Sequence, residues 1–267
     1  MLRKLFSVAL LGAALVACGG SSGSNNDSTP TFQLRAVHAS ADAGNVDIYI
    51  SGAAETVLRN VAYGDASTFL DVPQGTYNVA IRAAGADPTS IPVFEQNRID
   101  LSANTQTLTV VAAGLVGGGV DDGFRLLTIF EDFDAPGAGQ AIVRVIHAGA
   151  DAPAVKVDVG DDAVNPNDSE IQNLARFQST DDTGVALPAG VDLQLAIRTE
   201  LDDTRVTAFT ASLPEGAEIL VIATGLLGKL ARDADGFGLL AVGPAGALPL
   251  IRQNPIVYAA HAGPDAP

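Results

Sequence analysis

The sequence predicts an all-β protein: two tandem antiparallel, immunoglobulin-like or Greek-key β-sandwich domains, with the first strand of a third repeat at the C-terminus. Three observations carry this. Short runs rich in Val, Ile, Leu, Thr, Tyr and Phe recur between Gly, Pro, Asp and Asn, the pattern of strands and turns. The segment Arg35-Ala36-Val37-His38-Ala39-Ser40-Ala41-Asp42-Ala43 returns as Arg144-Val145-Ile146-His147-Ala148-Gly149-Ala150-Asp151-Ala152-Pro153, and starts again as His261-Ala262-Gly263-Pro264-Asp265-Ala266-Pro267. The three histidines stand about 110 residues apart, the span of a small domain rather than of a solenoid unit. No segment sustains apolar spacing at i, i+3, i+4, i+7 between helix caps, so helix content is expected to be small.

The elements follow in order. Residues 1–17 read as a signal peptide: Arg3 and Lys4 form a basic start, and Leu5–Ala17 is apolar but too short to cross a bilayer core of about 30 Å. Leu15-Val16-Ala17-Cys18 resembles the lipobox of bacterial lipoproteins, and Cys18 is the only cysteine. The resemblance implies acylation of Cys18 and cleavage before it. Gly19 at the next position, rather than Asp, implies the outer membrane or cell surface by likeness to Gram-negative lipoproteins. Residues 18–31 are a Gly/Ser/Asn tether with nothing to build a core. With no second cysteine, no disulfide helps the fold, so two hydrophobic cores must supply the stability.

The first module, residues 32–134, is expected to contain strands at about Phe32–His38, Val46–Ile50, Thr56–Val61, Ser67–Val72, Thr76–Arg82, Arg98–Leu101, Gln106–Gly114 and Phe124–Phe130. Val46–Ile50 and Tyr77–Ile81 alternate, as strands with one buried face do. Leu108–Ala113 is continuously apolar, the mark of a strand covered on both sides. The second module, residues 141–244, repeats the order: Asn60-Val61-Ala62 as Asn173-Leu174-Ala175, Val72-Pro73-Gln74-Gly75 as Leu187-Pro188-Ala189-Gly190, Ala80-Ile81-Arg82 as Ala196-Ile197-Arg198, and Asp122-Gly123-Phe124 as Asp235-Gly236-Phe237. Asp192 is read at the place of Tyr77. Short linkers at 133–140 and 243–249 predict a semi-rigid rod, with residues 254–267 starting a truncated third module.

The order of these motifs (His-Ala-x-x-Asp-Ala-Pro, an alternating strand, Pro-x-Gly-x-Tyr-x-Val, then a strand ending Ala-Ala-Gly) resembles the bacterial domain-of-unknown-function 4397 family. The resemblance spans about Phe32 to Val242. It implies secreted or surface-attached modules, often in tandem, and no particular chemistry.

The pairs His38/Asp42, His147/Asp151 and His261/Asp265 invite two readings. As a turn motif, Asp accepts main-chain amides in an Asx-type turn and His ties the turn to a neighbouring strand. As chemistry, they are an acid–base or metal pair. One His and one carboxylate per module fall short of the three or four ligands of a zinc site, so the turn role is taken and no metal residues are assigned. Pro73, Gly75 and Tyr77, with Pro188 and Gly190, are structural corners in which Pro presets φ and Gly takes a positive one.

The Asp clusters (121–122, 161–162, 181–182, 202–203, 233 and 235) read as solvated turn acids. An EF-hand register on Asp233 and Asp235 would place Ala231 and Val242 at ligand positions, which fails. No nucleophile elbow or phosphate loop is present, and Trp is absent, so no catalytic residue or cofactor is assigned. Cleavage before Cys18 leaves thirteen basic against 31 acidic residues, a surface that repels nucleic acid.

The reading is thus an exported, lipid-anchored, non-catalytic interaction or structural protein. Its partners are the membrane, through Cys18, and other envelope proteins or a further module. The alternatives are an extracytoplasmic hydrolase using Asp residues in an inter-module cleft, and a small-ligand or weak Ca²⁺-binding surface protein.

Overall fold

The computed structural model describes residues 31–51, 58–101, 107–160 and 169–255. Cys18, Asp161, Asp162, His261 and Asp265 lie outside them, as do residues 1–30 and the restart after Pro255.

The described chain is all-β. Its first unit runs β1 (Thr31–His38), β2 (Val46–Ile50), β3 (Leu58–Val61), β4 (Leu70–Pro73), β5 (Thr76–Ala83), β6 (Phe94–Asp100), β7 (Thr107–Ala113) and β8 (Arg125–Glu131). One sheet has the order β4-β1-β7-β8 and the other β3-β2-β5-β6. The second unit runs β9 (Gln140–His147), β10 (Val155–Val159), β11 (Ile171–Leu174), β12 (Val185–Pro188), β13 (Asp192–Thr199), β14 (Arg205–Ser212), β15 (Glu218–Thr224) and β16 (Gly238–Gly243). Its sheets have the orders β12-β9-β15-β16 and β11-β10-β13-β14. The two units therefore share one topology, strand for strand. Pairing is antiparallel except for β1 with β7 and β9 with β15, which run parallel.

Strand β6 starts four residues earlier than the turn signals suggested. The alternation there is broken by a bulge at Asn97–Arg98, where Arg98 has φ 60. The register of β13 also corrects an alignment. Val46 faces Ala83 and Val155 faces Thr199, which puts Leu193, not Asp192, at the place of Tyr77.

The expected rod is not what forms. The outer face of β1, β7 and β8 packs on the outer face of β9, β15 and β16, and one continuous core joins them through Val37, Val111 and Ile129 on one side and Ile146, Ile222 and Leu240 on the other. Four sheets are thus stacked, with the two central ones covered on both faces. The cause lies in the strand sequences: Ala141–His147 is buried at every position, and a strand with two apolar faces needs a partner on each.

Residues 243–249 are not a linker either. Gly246–Ala247 (β17) and Ile251–Arg252 (β18) both pair with β16. Beyond β18 the chain reaches the opposite sheet, where the Asn254 amide donates to the Ala208 carbonyl at 2.8 Å. Gln253 accepts from the Thr207 hydroxyl at 2.7 Å.

Candidate functional site

Among the described residues, the repeated turn is the most elaborate polar constellation. β1 ends in His38 because Pro-free alternation gives way to small residues, and the chain must turn toward the opposite sheet. The His38 ring is buried; Nε2 donates to the Gly44 carbonyl at 2.7 Å, and Nδ1 accepts from the Ser40 amide at 3.3 Å. His147 repeats the first bond, donating from Nε2 to Pro153 at 2.8 Å. Gly149 replaces Ser40, and His147 Nδ1 is left without a hydrogen-bond partner. Burial pushes both imidazoles below their ordinary value, and Arg176 adds to this for His147; both rings are therefore held neutral.

Asp42 reaches across to the loop after β7, accepting from the Val116 amide at 2.9 Å and the Gly117 amide at 3.4 Å. Asp151 does the same with Leu227 at 2.9 Å and Gly228 at 3.1 Å. The roles are exchanged relative to expectation: His closes its own turn, and Asp ties that turn to a distant loop. The two repeated motifs, His-x-x-x-Asp and Ala-x-Gly-Leu, are thus two halves of one clasp at the same end of each sandwich. The glycine of the second half is obligatory: Gly225 has φ +86, and a Cβ there would lie 2.5 Å from the Gly236 carbonyl oxygen.

At the opposite end, Tyr77 donates its hydroxyl to the Pro73 carbonyl at 2.6 Å. Gly190 takes the expected positive φ, +74. Gly75 does not; the Tyr77 ring lies over it, 3.5 Å from where a Cβ would be. Pro73 and Pro188 close β4 and β12.

Three residues that alternation assigns to solvent are buried. Asp47 binds two left-handed turns at once, accepting from the Asn60 amide at 2.7 Å and the Gly85 amide at 3.0 Å. Arg35 sits in the seam between the units, only 2% exposed. Its Nη2 donates to Glu131 at 2.8 Å, its Nε to Thr109 Oγ1 at 2.7 Å, and its guanidinium lies 4.6 Å from the Phe69 ring centre. Its Nη1 donates to the Gly243 carbonyl of the second unit at 2.6 Å. Arg144, the equivalent residue of β9, donates to the Phe130 carbonyl of the first unit and to Ser179 at 3.0 Å. The sequence signal was present in the repeat itself, which begins with Arg in both copies.

The Asp clusters are engaged locally. Asp122 accepts from the Gly119 amide at 2.6 Å and Asp233 from Leu230 at 3.1 Å, while Asp203 pairs with Lys156 at 2.9 Å. No group of three or more His, Cys, Asp or Glu among the described residues could hold a metal ion. At the rim of the seam lies an open hollow of about 310 Å³, lined by Phe69, Glu131, Asp132 and Glu218 among others. Glu131 is already held there by Arg35 and Thr109.

No curated protein matches the chain. Residues 32–158 match a family described as a domain of unknown function, DUF4397; the match covers β1–β8 and runs on through β9 into β10.

Proposed function

We propose that this chain is a lipid-anchored, envelope-exposed protein that acts without catalysis, as an interaction or structural module built from tandem copies of the one family domain. The observation that carries the reading is the clasp: in both units the recurring pair is engaged in main-chain hydrogen bonds, His38 and His147 in their own turns and Asp42 and Asp151 in the loop after the seventh strand. A residue held in this way has a structural task, the positioning of backbone. Anchoring rests on the lipobox-like segment ending in Cys18, and the third start at His261 and Asp265 is read as a further copy of the same turn.

Two experiments test this. Mass analysis of the mature N-terminus from envelope fractions is expected to find an acylated Cys18; an unmodified N-terminus elsewhere would remove the anchor. Replacement of His147 by Ala is expected to lower the melting temperature; unchanged stability with loss of a binding or catalytic signal would overturn the structural role.

The hydrolase alternative, which uses Asp residues in a cleft between the modules, would be served by Asp132 in the acidic rim hollow. It predicts turnover that falls when Asp132 is changed to Asn.

A further inference from the structure

The two sandwiches share a topology but not an interior. Between the sheets of the first unit lies a hollow of about 40 Å³; between those of the second lies one of about 360 Å³. The difference has a sequence cause that the strand registers expose. Phe32, Tyr77 and Ile99 pack together in the first unit with Val72, Leu101 and Leu108. Their counterparts are Ala141, Leu193 and Ala211, and Leu193 and Ala211 line the cavity. Three large side chains have been exchanged for smaller ones at one end of one unit, while the surrounding strands keep their places.

From this geometry we infer that the second sandwich binds a single-chain, uncharged apolar molecule: a hydrocarbon chain ending in a neutral polar group. Among the described residues the wall is aliphatic and aromatic throughout its depth, and His147, kept neutral by its burial, is the only ionisable one lining it. The lining residues that reach the surface are Thr210, Ser212, Pro214, Leu248 and Pro249. They place the mouth between the end of β14 and the segment that leads into β18, where a neutral polar end would meet solvent; the Thr210 hydroxyl beside it is already engaged by Gln194 and Asn254.

The volume lies within the range of ligand pockets. Scaled from an apolar cavity of about 150 Å³ that takes benzene, it holds roughly ten to fourteen carbons, which is one chain and excludes a two-chain lipid. The strongly acidic protein, net charge −16, disfavours a carboxylate head.

The test uses the purified protein and N-phenyl-1-naphthylamine, a neutral apolar fluorophore. Saturable one-to-one enhancement is expected, with displacement by 1-decanol at least tenfold more effective than by decanoate at pH 8. The variant Leu193→Tyr with Ala211→Ile restores the residues of the first unit, and should keep the fold and lose at least tenfold in affinity. Leu248→Trp, at an exposed lining position of the mouth, blocks entry without entering the core and covers the case in which the double variant does not fold. Absence of saturable binding, or binding unchanged in Leu248→Trp and in the folded double variant, would overturn the proposal.

Discussion

Arg35 of β1 donates through Nη1 to the main-chain carbonyl of Gly243, 208 positions along the chain, at 2.6 Å. The bond has a mirror: Arg144 of β9 donates to the carbonyl of Phe130. Gly243 and Phe130 are themselves equivalent, each following the residue of β16 or β8 that pairs with the third residue of β15 or β7. The seam is therefore close to two-fold symmetric, with each unit offering one arginine and one carbonyl.

Replacing Arg35 by Met is expected to lower unfolding free energy by about 3–5 kcal/mol, because it leaves Glu131 buried without its cation. Adding Glu131→Gln should recover part of that loss. Urea unfolding of the single and double variants measures both; a loss below about 1 kcal/mol for Arg35→Met would contradict a buried role.

Asp151→Ala removes the acceptor of two amides, Leu227 and Gly228. The expected cost is about 1–2 kcal/mol, since the carboxylate is solvent-exposed and water replaces part of what is lost. Amide hydrogen exchange should quicken at Leu227 and Gly228 and stay unchanged at Val116 and Gly117, which Asp42 holds.

Burial depresses the folded-state value of His38 and of His147 below their ordinary 6.5. Below pH 6.5 the unfolded chain takes protons that the folded rings refuse, so stability falls as pH drops. The contribution is fully present above about pH 6.5 and is lost below it at up to about 1.4 kcal/mol per pH unit for each ring. Denaturant midpoints between pH 7.5 and 5 should show this slope, flattened in His38→Asn/His147→Asn.

Gly190 and Gly225 separate two reasons for glycine. Gly190 has φ +74 with nothing near its missing side chain, whereas Gly225 has φ +86 and a carbonyl in the way. Gly190→Ala should cost about 1–2 kcal/mol, and Gly225→Ala clearly more, because the clasp loop must open. Melting temperatures of the two variants decide it.

Much of this was legible in the sequence. Val46–Ile50 alternates and forms a strand with those bounds, and the run Leu108–Ala113, apolar but for Thr109, announces a strand with two covered faces. What alternation hides is the polarity of the second face. Arg35 and Arg144 look solvent-directed because nothing local tells a strand that another sheet will lie on it; only the fully apolar Ala141–Val143 and Val145–Ile146 around Arg144 hint at a neighbour. Asp47 misleads for the opposite reason, since it is buried to serve two turns 13 and 38 residues away. The cavity was invisible because the second unit carries one extra residue between Gly190 and Leu193. That insertion aligns Tyr77 with Asp192 by eye and with Leu193 in space.

The near-symmetric seam has a consequence for how the assembly responds to dilution. Were the units separate molecules, the same contacts would make a dimer whose population fell with concentration. Joined by residues 132–139, they meet at an effective concentration set by the tether alone. The stacked pair therefore persists at any dilution, where a true dimer would come apart.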